Sequence, residues 1–259
     1  MNQKTLSIHN TQIPAIGLGT YKLTGKNGEK QIEQALHLGY RHIDTAEMYG
    51  NEAEVGNAVK ASGIPRDEIF ITTKVWPTNF SKRRFIPCVQ DSLRKLQVDA
   101  IDLLLLHWPS ADETNKLATG LLNDCLHKQY TKLVGVSNFS IKQLQAAQTI
   151  TPVFCNQVEY SPYNNNAALL QYMQQQGIML IAYSPLGRGA VLKEAVIKTL
   201  ADKYHKTGAQ IVLRWLLQQP NVAAIPKAAD DRHSRQNLEV FDFELTDEDM
   251  RQVFGLAKS

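Results

Sequence analysis

Short apolar runs recur along this chain, most of them followed by a longer stretch whose apolar positions return every three or four residues. The first kind of run reads as a strand and the second as an amphipathic helix. Strands are expected at 16–19, 40–44, 69–75, 101–107, 132–137, 153–159, 178–183 and 222–226. A hairpin of 5–8 with 12–15, turning at Asn10 and Thr11, precedes them. Eight such runs favour a closed (β/α)8 barrel with an N-terminal β-hairpin over an open doubly wound sheet. No low-complexity stretch or charge block marks a linker, so 1–259 is expected to form one domain.

The helical stretches carry their own marks. Phe85, Val89, Leu93 and Leu96 fall on one face, as do Ile197, Leu200, Ala201 and Tyr204. Ser140 with Gln143 and Thr207 with Gln210 have the hydroxyl-then-Gln spacing of a capping box. Thr246 opens a last helix. The runs at 101–106 and 178–182 are almost wholly apolar, as expected of strands with helices outside and a packed barrel within.

Composition narrows the class without naming a chemistry. Hydrophobic residues make up 43% and charged residues 20%, which is ordinary for a globular protein, and a formal charge of +3 is too weak to argue for nucleic acid. The basic run Lys82, Arg83, Arg84 reads as a solvated helix start. Cys88, Cys125 and Cys155 are widely spaced and suggest reduced thiols rather than zinc or a disulfide framework. The N-terminus lacks an apolar signal core, and no run approaches the ~18 apolar residues of a membrane helix. A cytoplasmic monomer is expected, without membrane or nucleic-acid partners.

Polar character returns where the apolar runs stop. Asp44, Lys74 and His107 each close a separate predicted strand, and Tyr49 follows the first of these by five residues. In a parallel αβ barrel those strand ends open onto one face, which carries the chemistry. A phenol holds its proton at neutral pH, and a nearby ammonium favours its ionised form. Lys74 would supply that charge, Asp44 would hold Lys74, and His107 would polarise a carbonyl oxygen. None of the four is a reductant, so a reduction would need a cofactor. Two other readings stay open at this point: Lys74 as a Schiff-base lysine, and a barrel that binds a dinucleotide without turnover.

The run Gly39-Tyr-Arg-His-Ile-Asp-Thr-Ala-Glu-Met-Tyr-Gly-Asn-Glu-Ala-Glu-Val-Gly56 resembles the first signature of the aldo-keto reductase family. The stretch 101–109, Gly135-Val-Ser-Asn-Phe139 and Ile225-Pro-Lys227 resemble three further landmarks in the family's order, and the likeness spans about 5–258. It is nearest to bacterial 2,5-diketogluconate and methylglyoxal reductases. The resemblance implies Tyr49 as general acid, Lys74 and Asp44 as the pair that lowers its pKa, His107 as the group orienting the carbonyl, and hydride from NADPH.

The resemblance also implies a cofactor site. Ser137, Asn138 and Gln157 would bond the nicotinamide amide, Tyr183 would stack on its ring, and Ser184, Pro185, Leu186 and Gly187 would meet the pyrophosphate. Gly17 and Gly19 form no strand-linked GxGxxG and read as glycines of the first barrel strand. At the 2′-phosphate the chain departs from the family: Ala228 replaces a serine, His233 an arginine and Gln236 the Glu of a Glu-Asn pair, while Asn237, Lys227 and the neighbouring Arg232 remain. NADP(H) is expected, with NAD(H) use made possible by these departures. Tyr21, Trp76, Trp108 and Phe139 lie beside the catalytic positions and are expected to line the carbonyl pocket with His107, while Lys22 reads as a solvated loop lysine. Short loops after Trp108 and Ser184, and an end at Ser259, suggest an open site for small aldehydes and α-dicarbonyls.

Overall fold

The computed structural model describes residues 4–8, 11–228 and 230–257. An antiparallel hairpin, β1 (Thr5–Ile8) with β2 (Thr11–Pro14), comes first; the expected turn at Asn10 lies outside the described residues. Then β3 (Leu18–Gly19), β4 (His42–Asp44), β5 (Phe70–Val75), β6 (Ile101–Leu106), β7 (Thr131–Ser137), β8 (Cys155–Glu159), β9 (Met179–Tyr183) and β10 (Val222–Ala224) run parallel, neighbours in sequence being neighbours in the sheet. All but β7, which starts one residue early, are at most a few residues shorter than the pattern suggests. At Tyr40 the reason is visible: its N–H still bonds the Ala35 carbonyl of the preceding helix, so pairing begins at His42.

The helices α1 (Gly25–Leu38), α2 (Glu52–Ala61), α3 (Phe85–Leu96), α4 (Asp112–His127), α5 (Ile141–Gln148) and α6 (Ala167–Gln175) each follow one strand. Two, α7 (Ala195–Tyr204) and α8 (Gly208–Leu217), separate β9 from β10; α9 (Asp231–Leu238) and α10 (Asp247–Phe254) close the chain. Both expected capping boxes are present, and Thr246 with Asp249 forms a third. No helix among the described residues is long and apolar enough to cross a membrane.

Alternate residues of one strand serve two different cores. On β6, Leu104 and Leu106 pack outward under the helices, whereas Leu103 and Leu105 point into the barrel. The interior is filled by Leu103, Leu105, Cys155, Met179, Ile181, Ala223 and Ile225, and Ile8 and Ile13 of the hairpin join the same cluster. That double burial is why these strands read as unbroken apolar runs.

The two ends of the sheet meet and close the barrel. Ile16 and Ala224 form a parallel bridge, the Gly17 N–H donates to the Ala224 carbonyl (2.8 Å) and the Ala224 N–H donates to Ala15 (3.0 Å). The glycines of the first strand serve this closure. A Cβ on Gly17 would stand 2.7 Å from the His42 ring, and one on Gly19 would stand 2.9 Å from the Ile225 carbonyl oxygen.

His42 sits fully buried inside the barrel, with Nε2 3.0 Å from the Thr72 hydroxyl and Nδ1 unpartnered. Burial holds its pKa down at about 4, so the ring is neutral when folded. The unfolded chain then binds a proton that the folded chain refuses between about pH 6.5 and 4. This contribution is complete above pH 6.5 and is lost as pH falls, on the order of 3 kcal/mol by pH 4. We expect denaturant midpoints to drop less between pH 8 and 4.5 in His42→Gln than in the unmodified protein. Equal drops would remove His42 as the source of acid sensitivity.

Candidate active site

Strand alternation decides which side chains face the barrel mouth. Asp44 and Lys74 take inward positions at the carboxyl ends of β4 and β5, and His107 follows β6 directly. The Lys74 ammonium donates to Asp44 Oδ1 (2.5 Å) and to the Thr45 carbonyl (2.8 Å), with both charged side chains sealed from solvent. Gln157, from the far side of the barrel, donates to the other Asp44 oxygen (2.7 Å). Tyr49 ends a 3-10 turn, Glu47–Tyr49, and its ring centroid lies 5.1 Å from the Lys74 nitrogen. The four expected groups therefore meet at one place.

Their protonation follows from the same geometry. Burial opposes charge on Lys74, but Asp44 and the Tyr49 oxygen outweigh it, so the ammonium holds its proton more tightly than a free lysine. That is the opposite of what a Schiff-base lysine needs. Burial drives the His107 pKa down to about 3, helped by the Lys74 charge, so the imidazole is neutral. At Tyr49 the Lys74 charge pulls the phenol down, while burial raises it more and Asp44 adds to the rise. In this state Tyr49 is a protonated phenol of raised pKa.

Rings wall the mouth. Tyr21 packs on Tyr49 (5.1 Å between centroids), Tyr49 meets His107 edge-on (5.6 Å) and Trp76 meets the other side of His107 (5.0 Å). Among the described residues the exposed large apolar side chains are Tyr21 (50%), Met48 (45%) and Trp108 (42%), all on loops at this end. Met48 escaped the sequence reading, since a lone methionine beside Tyr49 carries no pattern. Phe139 was expected at the pocket but is buried in the core between sheet and helices.

The expected nicotinamide-binding residues form a linked row. Tyr183 donates to Asn138 Oδ1 (3.0 Å), and Asn138 Nδ2 donates to the Ser137 hydroxyl (3.0 Å) and the His107 carbonyl (3.4 Å). Ser137 in turn donates to the Gln157 carbonyl (2.7 Å). Asn138 has φ +63°, a left-handed conformation that asparagine tolerates better than most residues, and Ser184 has φ +49°. Pro185 is buried, Leu186 packs on the core, and Gly187 (φ +52°) starts the kinked turn Gly187–Lys193.

At the other end Lys227 and Arg232 are exposed, next to a buried Ala228. His233 turns toward its own helix cap: its N–H donates to Asp230 Oδ1 (2.8 Å), and its ring Nδ1 lies 2.8 Å from the same oxygen. Asn237 is buried against the Tyr40 hydroxyl, and Gln236 lines a shallow cleft with Lys206 and Glu239. Amides, hydroxyls and a half-buried tyrosine ring in one linked row, with two exposed cations on the segment after β10, make a donor set that suits a dinucleotide.

Comparison with known proteins gives the same picture. The family model described as "Aldo/keto reductase family" matches residues 15–258. The chain is 37% identical over 249 residues to methylglyoxal reductase DkgB of Escherichia coli O157:H7, covering 94% of this chain and 93% of the relative. It is 38% identical over 260 residues to glyoxal reductase of Bacillus subtilis strain 168, covering 98% and 93%. A crystal structure provisionally named a 2,5-diketo-D-gluconic acid reductase B superposes with a TM-score of 0.96 at 41% identity, covering 99% of this chain and 92% of that one. With the ion pair, phenol and imidazole at the mouth of such a barrel, the chain belongs to the aldo/keto reductase family and is an NAD(P)H-dependent oxidoreductase.

Proposed function

We propose that this protein reduces small aldehydes, ketones and α-dicarbonyls with NADPH, Tyr49 giving the proton. One observation carries the reading: a fully buried Lys74–Asp44 pair stands beside a protonated phenol and a neutral imidazole at the barrel mouth. The reductases named for methylglyoxal and glyoxal among its relatives support the substrate class. Bound reduced nicotinamide supplies a hydride for the carbonyl carbon.

The chain's own groups manage the oxygen. An unpartnered, buried Nδ1 on His107 favours the tautomer with hydrogen on Nε2, which then donates to the carbonyl oxygen. Charge that builds on that oxygen is met by the Tyr49 proton, which moves across and leaves a phenolate. Lys74, kept charged by Asp44, stabilises that phenolate, so the pull that is too weak to ionise the resting phenol acts once the proton leaves. The alcohol departs and Tyr49 is reprotonated from solvent. Ser137, Asn138, Gln157 and Tyr183 would hold the nicotinamide, Ser184 to Gly187 the pyrophosphate, and Lys227 with Arg232 the 2′-phosphate. The Asp230 carboxylate beside His233 works against an added phosphate, so some NADH use is expected.

Loss of nicotinamide absorbance with methylglyoxal tests the activity directly. Tyr49→Phe should lower kcat by at least about 100-fold, the usual worth of a positioned acid, with NADPH binding close to normal. Unchanged turnover would end the assignment of Tyr49. With His107 neutral down to about pH 3, kcat/KM should show no fall near pH 6.5 between pH 5 and 8. A fall there that disappears in His107→Gln would mean the imidazole titrates in the working range. Lys227→Ala should weaken NADPH about 10- to 100-fold by fluorescence titration, as expected for a lost charge-assisted contact, and leave NADH nearly unchanged. Equal losses for both would remove the phosphate role.

A further inference from the structure

The Tyr49 turn and the Trp76 loop are joined twice. One connection runs through rings, Tyr49 to His107 to Trp76. The other runs through a single carboxylate. Glu47, first residue of the turn that ends in Tyr49, accepts the Trp76 backbone N–H at Oε2 (3.0 Å) and the Asn79 side-chain amide at Oε1 (2.5 Å). It therefore grips both ends of the 3-10 turn Pro77–Asn79, and the Cys88 thiol faces it as a third, weak donor. Glu47 thus supplies the acceptor for the Trp76 N–H, just past the end of β5. The turn also closes on itself, Asn79 N–H on the Trp76 carbonyl (2.9 Å) and Phe80 N–H on the Pro77 carbonyl (3.1 Å), and the exposed Arg84 guanidinium donates to the Thr78 carbonyl (3.2 Å).

We propose that Glu47 is a positioning residue: its carboxylate keeps the Trp76 ring against His107 and so sets affinity for the carbonyl substrate. The proposal rests on reading Trp76 as a wall of that pocket. Glu47 touches neither the reacting atoms nor the groups assigned to the cofactor; it acts through Trp76. Its loss should free the ring to leave His107 and so remove a wall that holds the bound carbonyl.

The test compares Glu47→Ala, Glu47→Gln and Trp76→Ala, singly and combined. Glu47→Ala should raise KM for methylglyoxal and 4-nitrobenzaldehyde on the order of tenfold, with kcat changed far less, the pattern of a lost binding contact. NADPH affinity by fluorescence quenching should stay within about twofold, and the tryptophan emission should shift to the red as the ring becomes wetter. Glu47→Gln keeps an acceptor for the Trp76 N–H and should recover much of the loss; it also carries the test should Glu47→Ala fold poorly. In a Trp76→Ala background, Glu47→Ala should add nothing to KM and should shift no emission, because two residues acting through one contact are not additive. Unchanged KM and emission in Glu47→Ala would overturn the proposal, as would full additivity with Trp76→Ala. Absence of turnover in the unmodified protein would sink the reductase reading instead, with the emission change still deciding the tether.

Discussion

The buried ion pair between Lys74 and Asp44 is the constraint around which this molecule is arranged. Both side chains lie inside the barrel at 0% and 2% exposure, where charge is expensive. The cost is offset by hydrogen bonds: Lys74 donates to Asp44 and to the Thr45 carbonyl, and Gln157 reaches across to the second Asp44 oxygen. A pair of packed apolar residues would hold the barrel together at least as well. Its presence fits the role proposed for it, stored charge for Tyr49, better than a role in stability.

The rest of the active end is built to hold that charge in place. Asn51, fully buried, accepts from the Thr45 hydroxyl and donates to the carbonyls of Thr20 (2.9 Å) and Leu23 (2.8 Å). It locks the turn carrying Tyr21 to the residue whose carbonyl receives Lys74. Asn51 and Glu47 lie two residues to either side of Tyr49, so the proposed proton donor sits on a short segment anchored in both directions. A loop on a rigid barrel can thus place a reactive group as firmly as a strand does.

The apolar filling of the barrel and the polar mouth are parts of one layering. Leu103, Leu105 and Met179 seal the middle, while His42 and Thr72 stand as a small polar pair beneath Asp44. Water is kept from below, and the pKa values at the mouth follow: burial dominates at His42, His107 and Tyr49 alike. Burial also sets the direction for the resting phenol: a charge near a group can be read from a chain but its desolvation cannot.

Periodicity alone made the barrel legible: eight apolar runs doubly buried, helices with one apolar stripe, caps at Ser140, Thr207 and Thr246. The catalytic candidates were legible too, because Asp44, Lys74 and His107 interrupt apolar runs at their carboxyl ends, where a parallel barrel opens. Other features had no local signature. Phe139 looked like a pocket residue by its neighbours, yet the chain turns its ring into the core. His233 occupies an expected phosphate position, yet it turns to Asp230 three residues before it. Gln157 reaches Asp44 across 113 positions of chain, and Glu47 reaches Trp76 across 29. A periodic pattern records which face of an element is buried, a property of each residue and its near neighbours. Which polar atom meets which, and how much water each has lost, depends on distances between strands that only closing the barrel creates.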